Sequence, residues 1–380
     1  MKKIMVMVGT RPEAIKMAPV IMALQERQDI FTVHLCSSGQ HGVMLEQTLG
    51  AFGLTPDSTL DVMLPDQTLA SLSGRLFAAV DGALAEIRPD AVLVQGDTTT
   101  VQVATLSAFY RGIPVGHVEA GLRTGDLHNP FPEELNRRIV ALAATWHYAP
   151  TQGARDNLLA EGVDADSITV TGNTVIDALY RMQAIIRVRP PLLPRRLEEL
   201  LAARRPYILV TGHRRENFGR GVENMCEALL RISSALPQIA VVWPVHLNPN
   251  VRGPVMALLG DIPGILLEQP VPYAGFVRLL EGASVILTDS GGIQEEGAAL
   301  GKPVLVMRTA TERPEGVESG SILVGTSPDR IMEAAVTAFT APEPRRRSHA
   351  FGDGHAAERI VAHLADELYP EMIAEGCKAG

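Results

Sequence analysis

The sequence predicts an α/β protein with two doubly wound domains, each a parallel β-sheet covered by helices. Short apolar runs recur along the chain and alternate with amphipathic stretches of helical length, such as 69–87 and 222–236. Strands that are apolar on both faces are typical of parallel sheets buried between helices. A chain of 380 residues also exceeds what one hydrophobic core usually serves, so two domains are expected.

The predicted strands are six apolar runs in each half of the chain. Those of the first half are residues 4–8, 32–36, 91–95, 114–118, 146–149 and 168–171. Those of the second half are residues 207–211, 239–243, 264–267, 284–288, 303–307 and 321–324. A proline- and arginine-rich stretch at 187–196 favours a nearby boundary. We expect a first domain over residues 1–175, a second over 176–355, and a last helix near 356–372.

The composition of the chain limits which ligands it is expected to bind and where in the cell it is expected to work. The 34 lysines and arginines against 43 aspartates and glutamates give a net charge of −9, which does not favour nucleic acid or an anionic membrane. Cys36, Cys226 and Cys377 define neither a disulfide framework nor a zinc site, and no metal or other cofactor is predicted. No apolar run reaches the roughly 18 residues of a membrane helix. Arg11 interrupts the first apolar run too early for a signal peptide, so a cytoplasmic protein is expected.

A glycine-rich turn in the second half predicts an anion site. The strand at 284–288 runs into Ser290, Gly291 and Gly292, and a helix follows. The first N–H groups of a helix lack intrahelical partners, and glycines let a ligand approach the backbone, so the turn suits a phosphate. Glu296 lies just over one turn into the helix, within reach of sugar hydroxyls. An ordinary tight turn explains the same residues, so the stretch alone leaves both readings open.

Charged residues elsewhere gather just after predicted strands, where doubly wound folds bind ligands. Arg11 and Lys16 flank the start of the first helix, and two cations there indicate an anion between them. His213 follows the first strand of the second half and could bind phosphate or move a proton. A surface or capping role is the alternative for each of these residues.

Three carboxylates of the first half follow strands or lie in the next loop, namely Asp97, Glu119 and Glu133. If they converge, like-charge crowding can raise one pKa into the working range of a general acid or base. Any one of them alone is weak support, because surface carboxylates are common. The glycine motifs of dinucleotide oxidoreductases and P-loop enzymes are absent, as is the serine-hydrolase elbow.

Taken together, eight motifs resemble one known family. They are Gly9-Thr-Arg-Pro-Glu-Ala-Ile-Lys-Met-Ala-Pro19, Gly96-Asp-Thr-Thr-Thr100, His117-Val-Glu-Ala-Gly-Leu-Arg123, Thr171-Gly-Asn-Thr-Val-Ile-Asp177, Gly212-His-Arg-Arg-Glu-Asn217, Pro244-Val-His-Leu-Asn-Pro-Asn250, Thr288-Asp-Ser-Gly-Gly-Ile-Gln-Glu-Glu296 and Thr311-Glu-Arg-Pro-Glu315. The chain resembles the bacterial non-hydrolysing UDP-N-acetylglucosamine 2-epimerases from residue 4 to about residue 360. Because the motifs are long and in the right order, the resemblance is specific.

The resemblance implies a fold, an activity and an assembly. The fold would be of the glycosyltransferase-B type, with two Rossmann-like domains facing a central cleft and a C-terminal helix packing back on the first. The activity would be reversible epimerisation at C2 of UDP-N-acetylglucosamine to UDP-N-acetylmannosamine, through UDP elimination to a 2-acetamidoglucal and re-addition. A homodimer that feeds surface polysaccharide synthesis is implied as well.

The matching motifs also imply residue roles. The expected proton-handling carboxylates are Asp97, Glu119 and Glu133, without a division between base and acid, and His213 joins the catalytic set. UDP would be bound by Arg11, Lys16, His213, Phe276, Ser290, Gly291, Gly292, Glu296 and Arg313. Bacterial members often have an activator site as well, for which Gln40, Arg214 and His246 are the candidates here. Gly42, Val43 and Asp66 depart from the family at that site and argue against activation by substrate.

Three rival functions stay open at the level of sequence. A glycosyltransferase on the same fold would use a UDP-sugar donor but would not need three carboxylates around C2. A hydrolysing UDP-N-acetylglucosamine 2-epimerase would release free N-acetylmannosamine and UDP. A UDP-sugar-binding protein without activity would not need the carboxylate set.

Overall fold

The computed structural model describes residues 1–40, 42–64, 66–212, 214–309, 313–340 and 346–371. The chain divides into two compact units. Unit 1 comprises Met1–Arg181 together with the chain from Gly352, and unit 2 comprises Met182–Phe351.

Unit 1 is built on a seven-stranded sheet in which every recorded pairing is parallel. Its strands are β1 (Lys2–Val8), β2 (Phe31–Ser37), β3 (Ser58–Thr59), β4 (Ala91–Gln95), β5 (Val115–Val118), β6 (Trp146–Ala149) and β7 (Ile168–Val170). Their order across the sheet is β3-β2-β1-β4-β5-β6-β7. The order reverses at β1, which is where doubly wound sheets bind ligands beyond the strands' carboxyl ends.

The helices of unit 1 follow their strands in alternation. They are α1 (Arg11–Glu26), α2 (Gly42–Ala51), α3 (Leu69–Ile87), α4 (Thr99–Tyr110), α5 (Glu133–Ala143) and α6 (Gln152–Ala160). Helix α7 (Thr174–Val188) begins in unit 1 and ends in unit 2. Helix α3 shows how sequence sets an element, because Leu72, Leu76, Val80 and Leu84 recur every four residues and are its buried face. The Thr68 hydroxyl caps its start by accepting the Ser71 N–H at 3.2 Å.

Helix α15 (Ala356–Leu368) completes unit 1 by packing against α1. The Asp177 carboxylate accepts the Ala357 N–H at 2.8 Å and so caps the start of α15. The His363 ring meets the Tyr148 ring edge to face, with 5.4 Å between centroids. These contacts bind the end of the described chain to the first unit.

Unit 2 repeats the architecture with a six-stranded parallel sheet. Its strands are β8 (Tyr207–Thr211), β9 (Ala240–Pro244), β10 (Ile265–Glu268), β11 (Val285–Thr288), β12 (Val304–Val306) and β13 (Ile322–Leu323), in the order β10-β9-β8-β11-β12-β13. Its helices are α8 (Arg195–Ala202), α9 (Arg220–Ala235), α10 (Pro249–Leu259), α11 (Tyr273–Gly282), α12 (Gly291–Ala299), α13 (Pro314–Glu318) and α14 (Pro328–Thr340). The core on one face of the sheet includes Trp243, Met307 and Leu287, all at most 1% exposed.

The predicted fold class is confirmed, and all twelve predicted apolar runs form strands. The sequence missed β3, since a two-residue edge strand made of Ser58 and Thr59 has no apolar pattern. None of the helices in the described ranges combines the length and apolarity needed to cross a membrane. Across the same ranges, no three His, Cys, Asp or Glu side chains are grouped as a metal would require.

Candidate functional site

The carboxyl edge of the unit 1 sheet carries the three predicted carboxylates. Asp97 follows β4 by two residues, Glu119 follows β5 directly, and Glu133 is the first residue of α5. Strands β4 and β5 are neighbours, so the loops that carry Asp97 and Glu119 leave the sheet side by side.

Glu119 and Lys16 form a buried ion pair. The Lys16 ammonium donates to the Glu119 carboxylate, and their side chains are 11% and 6% exposed. The Gln95 amide donates to the same carboxylate oxygen at 2.9 Å. The sequence predicts Lys16 near a diphosphate, whereas the structure joins it to a predicted proton-handling group. Because breaking a buried pair leaves an uncompensated charge, each partner fixes the position of the other.

The backbone at Glu119 is strained. Its φ is 64°, in the left-handed region that a residue with a side chain seldom occupies. Such conformations cost on the order of 1–3 kcal/mol and cluster at functional sites. The conformation is thus a reason, separate from the ion pair, to regard Glu119 as functional.

Asp97 is held by a buried arginine that the sequence analysis did not single out. Arg137 Nε and Nη2 lie 2.9 Å and 2.8 Å from Asp97 Oδ2. The Asn136 amide donates to the Asp97 carbonyl oxygen at 2.8 Å. Both partners lie in the first two turns of α5, which begins at Glu133, so the structure brings the Asp97 and Glu133 segments together. Spacing on the helix was the available signal, since Arg137 lies one turn after Glu133.

His117 secures the start of the Asp97 loop from within β5. Its Nε2 lies 2.7 Å from the Gly96 carbonyl oxygen and donates to it. Burial lowers the pKa of His117 to about 3, so the ring is neutral at physiological pH. Its role is therefore structural, as a hydrogen-bonding group that fixes the loop.

The predicted anion site of unit 2 lies at the start of α12. Ser290 is the residue before the helix, and its N–H donates to the Thr288 hydroxyl at 3.0 Å. A β-carbon at Gly291 would overlap the Arg313 guanidinium, so a larger residue here must displace that side chain. Nothing lies within 4 Å of a β-carbon at Gly292. The two glycines therefore differ. The space where a side chain would stand at Gly291 is occupied by a cationic side chain, and the same space at Gly292 has no atom of the other described residues within 4 Å.

Arg313 is fixed at this turn by Glu295. The two side chains form an ion pair and are 7% and 1% exposed. Arg313 is a predicted UDP-binding residue, and the structure brings it to Gly291. A fixed guanidinium beside a helix N-terminus favours an anion, because both carry positive charge.

Asp289 ties a second loop to the same turn. Its carboxylate accepts the Arg214 N–H at 3.0 Å and the Asn217 amide at 3.1 Å. Arg214 Nε in turn donates to the Asp289 carbonyl oxygen at 3.1 Å. Arg214, a candidate for an activator site, thus contacts Asp289, the residue that precedes Ser290. The predicted His213 lies outside the described residues, as does Thr311 of the Arg313 motif.

Glu296 and Phe276 are brought together through a tyrosine that the sequence analysis missed. The Tyr273 hydroxyl donates to Glu296 Oε1 at 2.8 Å, and both residues are buried. Phe276 lies one turn further along α11 and is 9% exposed. The apolar ring and the carboxylate therefore lie on neighbouring elements of unit 2.

The remaining predicted residues have different surroundings. The side chain of Arg11, at the start of α1, is partly buried. Gln40 accepts the Thr100 hydroxyl at 3.2 Å in unit 1. His246 is exposed in unit 2, where its Nδ1 accepts the Asn248 N–H at 3.1 Å. Of the activator candidates, Gln40 therefore belongs to unit 1 and His246 to unit 2.

Comparison with known proteins gives consistent matches along the chain. Residues 3–365 match the family model described as UDP-N-acetylglucosamine 2-epimerase. The UDP-N-acetylglucosamine 2-epimerase of Yersinia pestis is 49% identical over 369 residues, covering 95% of this chain and 98% of the relative. The enzyme of that name from Escherichia coli K12 is 48% identical over 376 residues, with the same coverage.

Solved structures agree with this result. The UDP-GlcNAc 2-epimerase from Neisseria meningitidis bound to UDP-GlcNAc has a TM-score of 0.90 and 42% identity, covering 96% of this chain and 100% of that one. The UDP-GlcNAc 2-epimerase from Methanocaldococcus jannaschii in complex with UDP-GlcNAc and UDP has a TM-score of 0.81 and 31% identity, covering 96% and 99%.

Proposed function

The chain belongs to the UDP-N-acetylglucosamine 2-epimerase family, and on that premise we propose that it interconverts UDP-N-acetylglucosamine and UDP-N-acetylmannosamine without net hydrolysis. The observation that carries the proposal is the carboxyl edge of unit 1, where Asp97 and Glu119 are each fixed by a buried cationic side chain. The related structures from Neisseria meningitidis and Methanocaldococcus jannaschii hold UDP-GlcNAc.

The chemistry explains why several fixed carboxylates are needed. The C2 proton of the sugar is not acidic, because no carbonyl carbon adjoins C2. It can be removed if the C1–O bond to UDP breaks in the same step or just before, since positive charge then develops at C1. A carboxylate takes the proton, the C–H electrons form the C1=C2 bond, and the C1–O electrons leave on the β-phosphate. Re-addition of UDP with protonation of the other face of C2 gives the epimer, so groups are required on both faces.

We assign these roles to Asp97, Glu119 and Glu133, each contributing on the order of 10²–10⁴ in rate if it acts as a general acid or base. Lys16 serves as the fixed ion-pair partner of Glu119. Arg137 holds the Asp97 carboxylate in place in the same way. The strained backbone at Glu119 supports the role assigned to this residue, because such a conformation persists where the direction of the side chain is needed for function.

Unit 2 would bind UDP. The N-terminus of α12 and Arg313 would hold the diphosphate, with Ser290, Gly291, Gly292, Arg11 and His213 contributing as the family motifs imply. Glu296, held by Tyr273, would accept ribose hydroxyls, and Phe276 would line the uracil pocket. Holding the diphosphate through both halves of the reaction is what allows UDP to be added back.

Incubation of UDP-N-acetylglucosamine with the protein in deuterated water tests the proposal. We expect UDP-N-acetylmannosamine with solvent deuterium at C2, and phosphorus NMR should show no stoichiometric release of UDP. Free N-acetylmannosamine with UDP would indicate a hydrolysing epimerase. Neither deuterium nor the epimer, with sugar transferred to an acceptor, would indicate a glycosyltransferase.

Steady-state kinetics test the activator site. Because Gly42, Val43 and Asp66 replace the family's usual side chains there, we expect a hyperbolic dependence of rate on UDP-N-acetylglucosamine concentration. A sigmoid curve would restore Gln40, Arg214 and His246 as an activator site.

Assembly and location are proposed as well. Phe109 and Tyr110 at the end of α4 are 55% and 72% exposed, and Leu142 of α5 is 85% exposed, which supports a homodimer through this face of unit 1. Light scattering at micromolar concentration should give twice the 40.9 kDa chain mass. The buried free thiols Cys36 and Cys226 fit a reducing cytoplasm, where the product would supply surface polysaccharide synthesis.

A further inference from the structure

Glu13 is a buried acid that none of the roles above uses. It is the third residue of α1 and is 2% exposed. Its Oε2 accepts the N–H of Gly9 and, at 3.1 Å, the N–H of Thr10. Both belong to the loop that leads from β1 to Arg11. The carboxyl group therefore fixes the backbone that presents Arg11.

The loop that Glu13 holds has little room to move. A β-carbon at Gly9 would lie 2.6 Å from Ser38 Oγ and 2.8 Å from Thr100 Oγ1. The backbone thus passes close to the first turn of α4. The carboxyl group that fixes Gly9 consequently also lies near the loop that carries Asp97.

The acid is also close to Asp97 and Thr98. The pKa of Glu13 is raised to about 7, mainly by burial and to a smaller extent by the Asp97 charge, while the Thr98 hydroxyl and the Gly9 and Thr10 N–H groups act to lower it. Among the other charged groups near it in sequence, Arg11 and Lys16 share its helix, and Lys16 is paired with Glu119. Glu13 can therefore exchange a proton near neutral pH beside Asp97.

A capping role alone does not account for this arrangement. Glu13 Oε1 is buried and has no hydrogen-bond partner among the described residues. A buried polar atom without a partner is costly, and a glutamate cap on an exposed helix start avoids that cost. Glu358, also the third residue of its helix, is such a case, since its side chain is 63% exposed and pairs with His355.

We propose that Glu13 is a positioning residue for epimerisation: its buried carboxyl group joins the loop that presents Arg11 to the loop that presents Asp97, and it sets the charge beside Asp97. The inference rests on the proposed function. Asp97 lies between the fixed cation of Arg137, 2.8 Å away, and an acid that can be neutral or charged. When Glu13 is neutral, no second negative charge from this residue lies beside Asp97.

The substitution Glu13→Gln tests the charge while keeping an oxygen for the Gly9 and Thr10 N–H groups. We expect kcat to fall roughly tenfold to 100-fold, as for misplacement of a catalytic group. KM and UDP affinity should stay within about twofold of the parent, since glutamine keeps an oxygen for the Gly9 and Thr10 N–H groups that fix the loop of Arg11. The kcat–pH profile should lose an inflection near neutral pH. Glu358→Gln, at the matching position of α15, should keep the parent's kcat and pH profile.

A purely structural cap would give a different result. Glu13→Gln would then lower the melting temperature but keep the parent's kcat and the shape of its pH profile, and that outcome overturns the proposal.

Carboxyl NMR of glutamate-labelled protein gives a second measurement that does not need the Glu13 variant to fold. One glutamate should titrate near neutral pH in the parent and at lower pH in Asp97→Asn, because the neighbouring charge is removed. Absence of such a group, or an unchanged titration in Asp97→Asn, would overturn the proposal. If the parent makes no UDP-N-acetylmannosamine, the proposed function fails, and this titration still decides whether Glu13 and Asp97 are coupled.

Discussion

The carboxyl edges of the two sheets each carry a buried arginine–carboxylate pair, but the more exposed member differs. In unit 1 the acid is more exposed, with Asp97 at 28% and its partner Arg137 at 7%. In unit 2 the base is more exposed, with Arg313 at 7% and its partner Glu295 at 1%. The two pairs therefore differ in which member is nearer to solvent: the acid Asp97 in unit 1 and the cation Arg313 in unit 2. The Lys16–Glu119 pair of unit 1 is buried on both sides, at 11% and 6%.

This difference matches two kinds of chemistry. An acid held by a deeper cation keeps its direction, as proton transfer from carbon requires. A cation held by a deeper acid keeps its place beside a helix N-terminus, as binding of a diphosphate requires. On this basis unit 1 would supply the proton chemistry and unit 2 the leaving-group site, and substitutions at each edge should have separable effects.

Asp97→Asn should have the largest effect. Removing the acid while keeping its shape should lower kcat by about 10²–10⁴-fold, with UDP affinity little changed. The deuterium exchange assay and UDP calorimetry measure the two quantities. Asp81→Asn is the matched control, because Asp81 also pairs with an arginine, Arg111, but on the surface with its side chain 57% exposed. Equal losses of kcat and of UDP affinity in Asp97→Asn would remove the division between the two edges.

Gly291→Ala should have the next largest effect, and on binding. The new methyl group would displace the Arg313 guanidinium. Loss of one hydrogen bond to a charged group is worth about 1.5–3 kcal/mol, or roughly tenfold to 100-fold in the Kd of UDP. Gly253→Ala is the control, because Gly253 lies in α10, its β-carbon would meet nothing within 4 Å among the described residues and alanine favours a helix. If Gly291→Ala binds UDP as tightly as the parent, the stretch is an ordinary tight turn.

Tyr273→Phe should have a smaller effect on the same edge. Loss of the hydroxyl leaves Glu296 without its 2.8 Å donor, at a net cost of about 1 kcal/mol. We expect UDP affinity to fall by roughly fivefold, with Asp97-dependent deuterium exchange at saturating substrate unchanged. Tyr369→Phe in unit 1 provides the comparison, because that hydroxyl donates to the Ile30 carbonyl at 2.6 Å, far along the chain from any predicted site residue. It should lower the melting temperature only, and a matching loss of UDP affinity there would make the Tyr273 effect non-specific.

Sequence patterns predicted the elements well because burial on both faces leaves a continuous apolar run, as in β4 and β11. The exception, β3, is stabilised by pairing with β2 rather than by apolar side chains, and no pattern records that. Site residues such as Asp97 and Ser290 could be predicted as well, because they are polar residues that come just after these apolar runs.

The partners of those residues could not be predicted in the same way. Which side chain meets Asp97 depends on how α5 packs beside the β4 edge, and Arg137 is identified only once that packing is known. Lys16 has one charge and two plausible anions, and the structure places Glu119 beside it. Tyr273 acts on Glu296 from outside every quoted motif, and Glu295 lies within the Thr288–Glu296 motif, but its sequence position does not reveal its partner.

Asp177→Asn should have the smallest effect on activity and serves to separate acids of the fold from acids of the site. Burial raises the pKa of Asp177 from 3.8 to about 6, although it accepts the Ala357 N–H. The unfolded chain loses this proton near pH 4 and the folded chain only near pH 6, so stability falls as pH rises through that window and is level above it. The decline amounts to roughly 3 kcal/mol, and asparagine, which keeps the oxygen that caps α15, should remove it.

The melting temperature of Asp177→Asn minus that of the parent should therefore increase between pH 4 and pH 6 and then level off, with kcat unchanged. Asp353→Asn should show the opposite trend at lower pH, below the ordinary pKa of 3.8, because Arg359 lowers the pKa of Asp353 and the charge of this group stabilises the fold fully above that value. A constant melting difference for Asp177→Asn across this range would mean that Asp177 ionises as it does in water. A loss of kcat in Asp177→Asn would mean that this acid, at the contact of α7 with α15, also affects catalysis. Asp177 would then no longer serve as a purely structural acid for comparison with Asp97, Glu119 and Glu133.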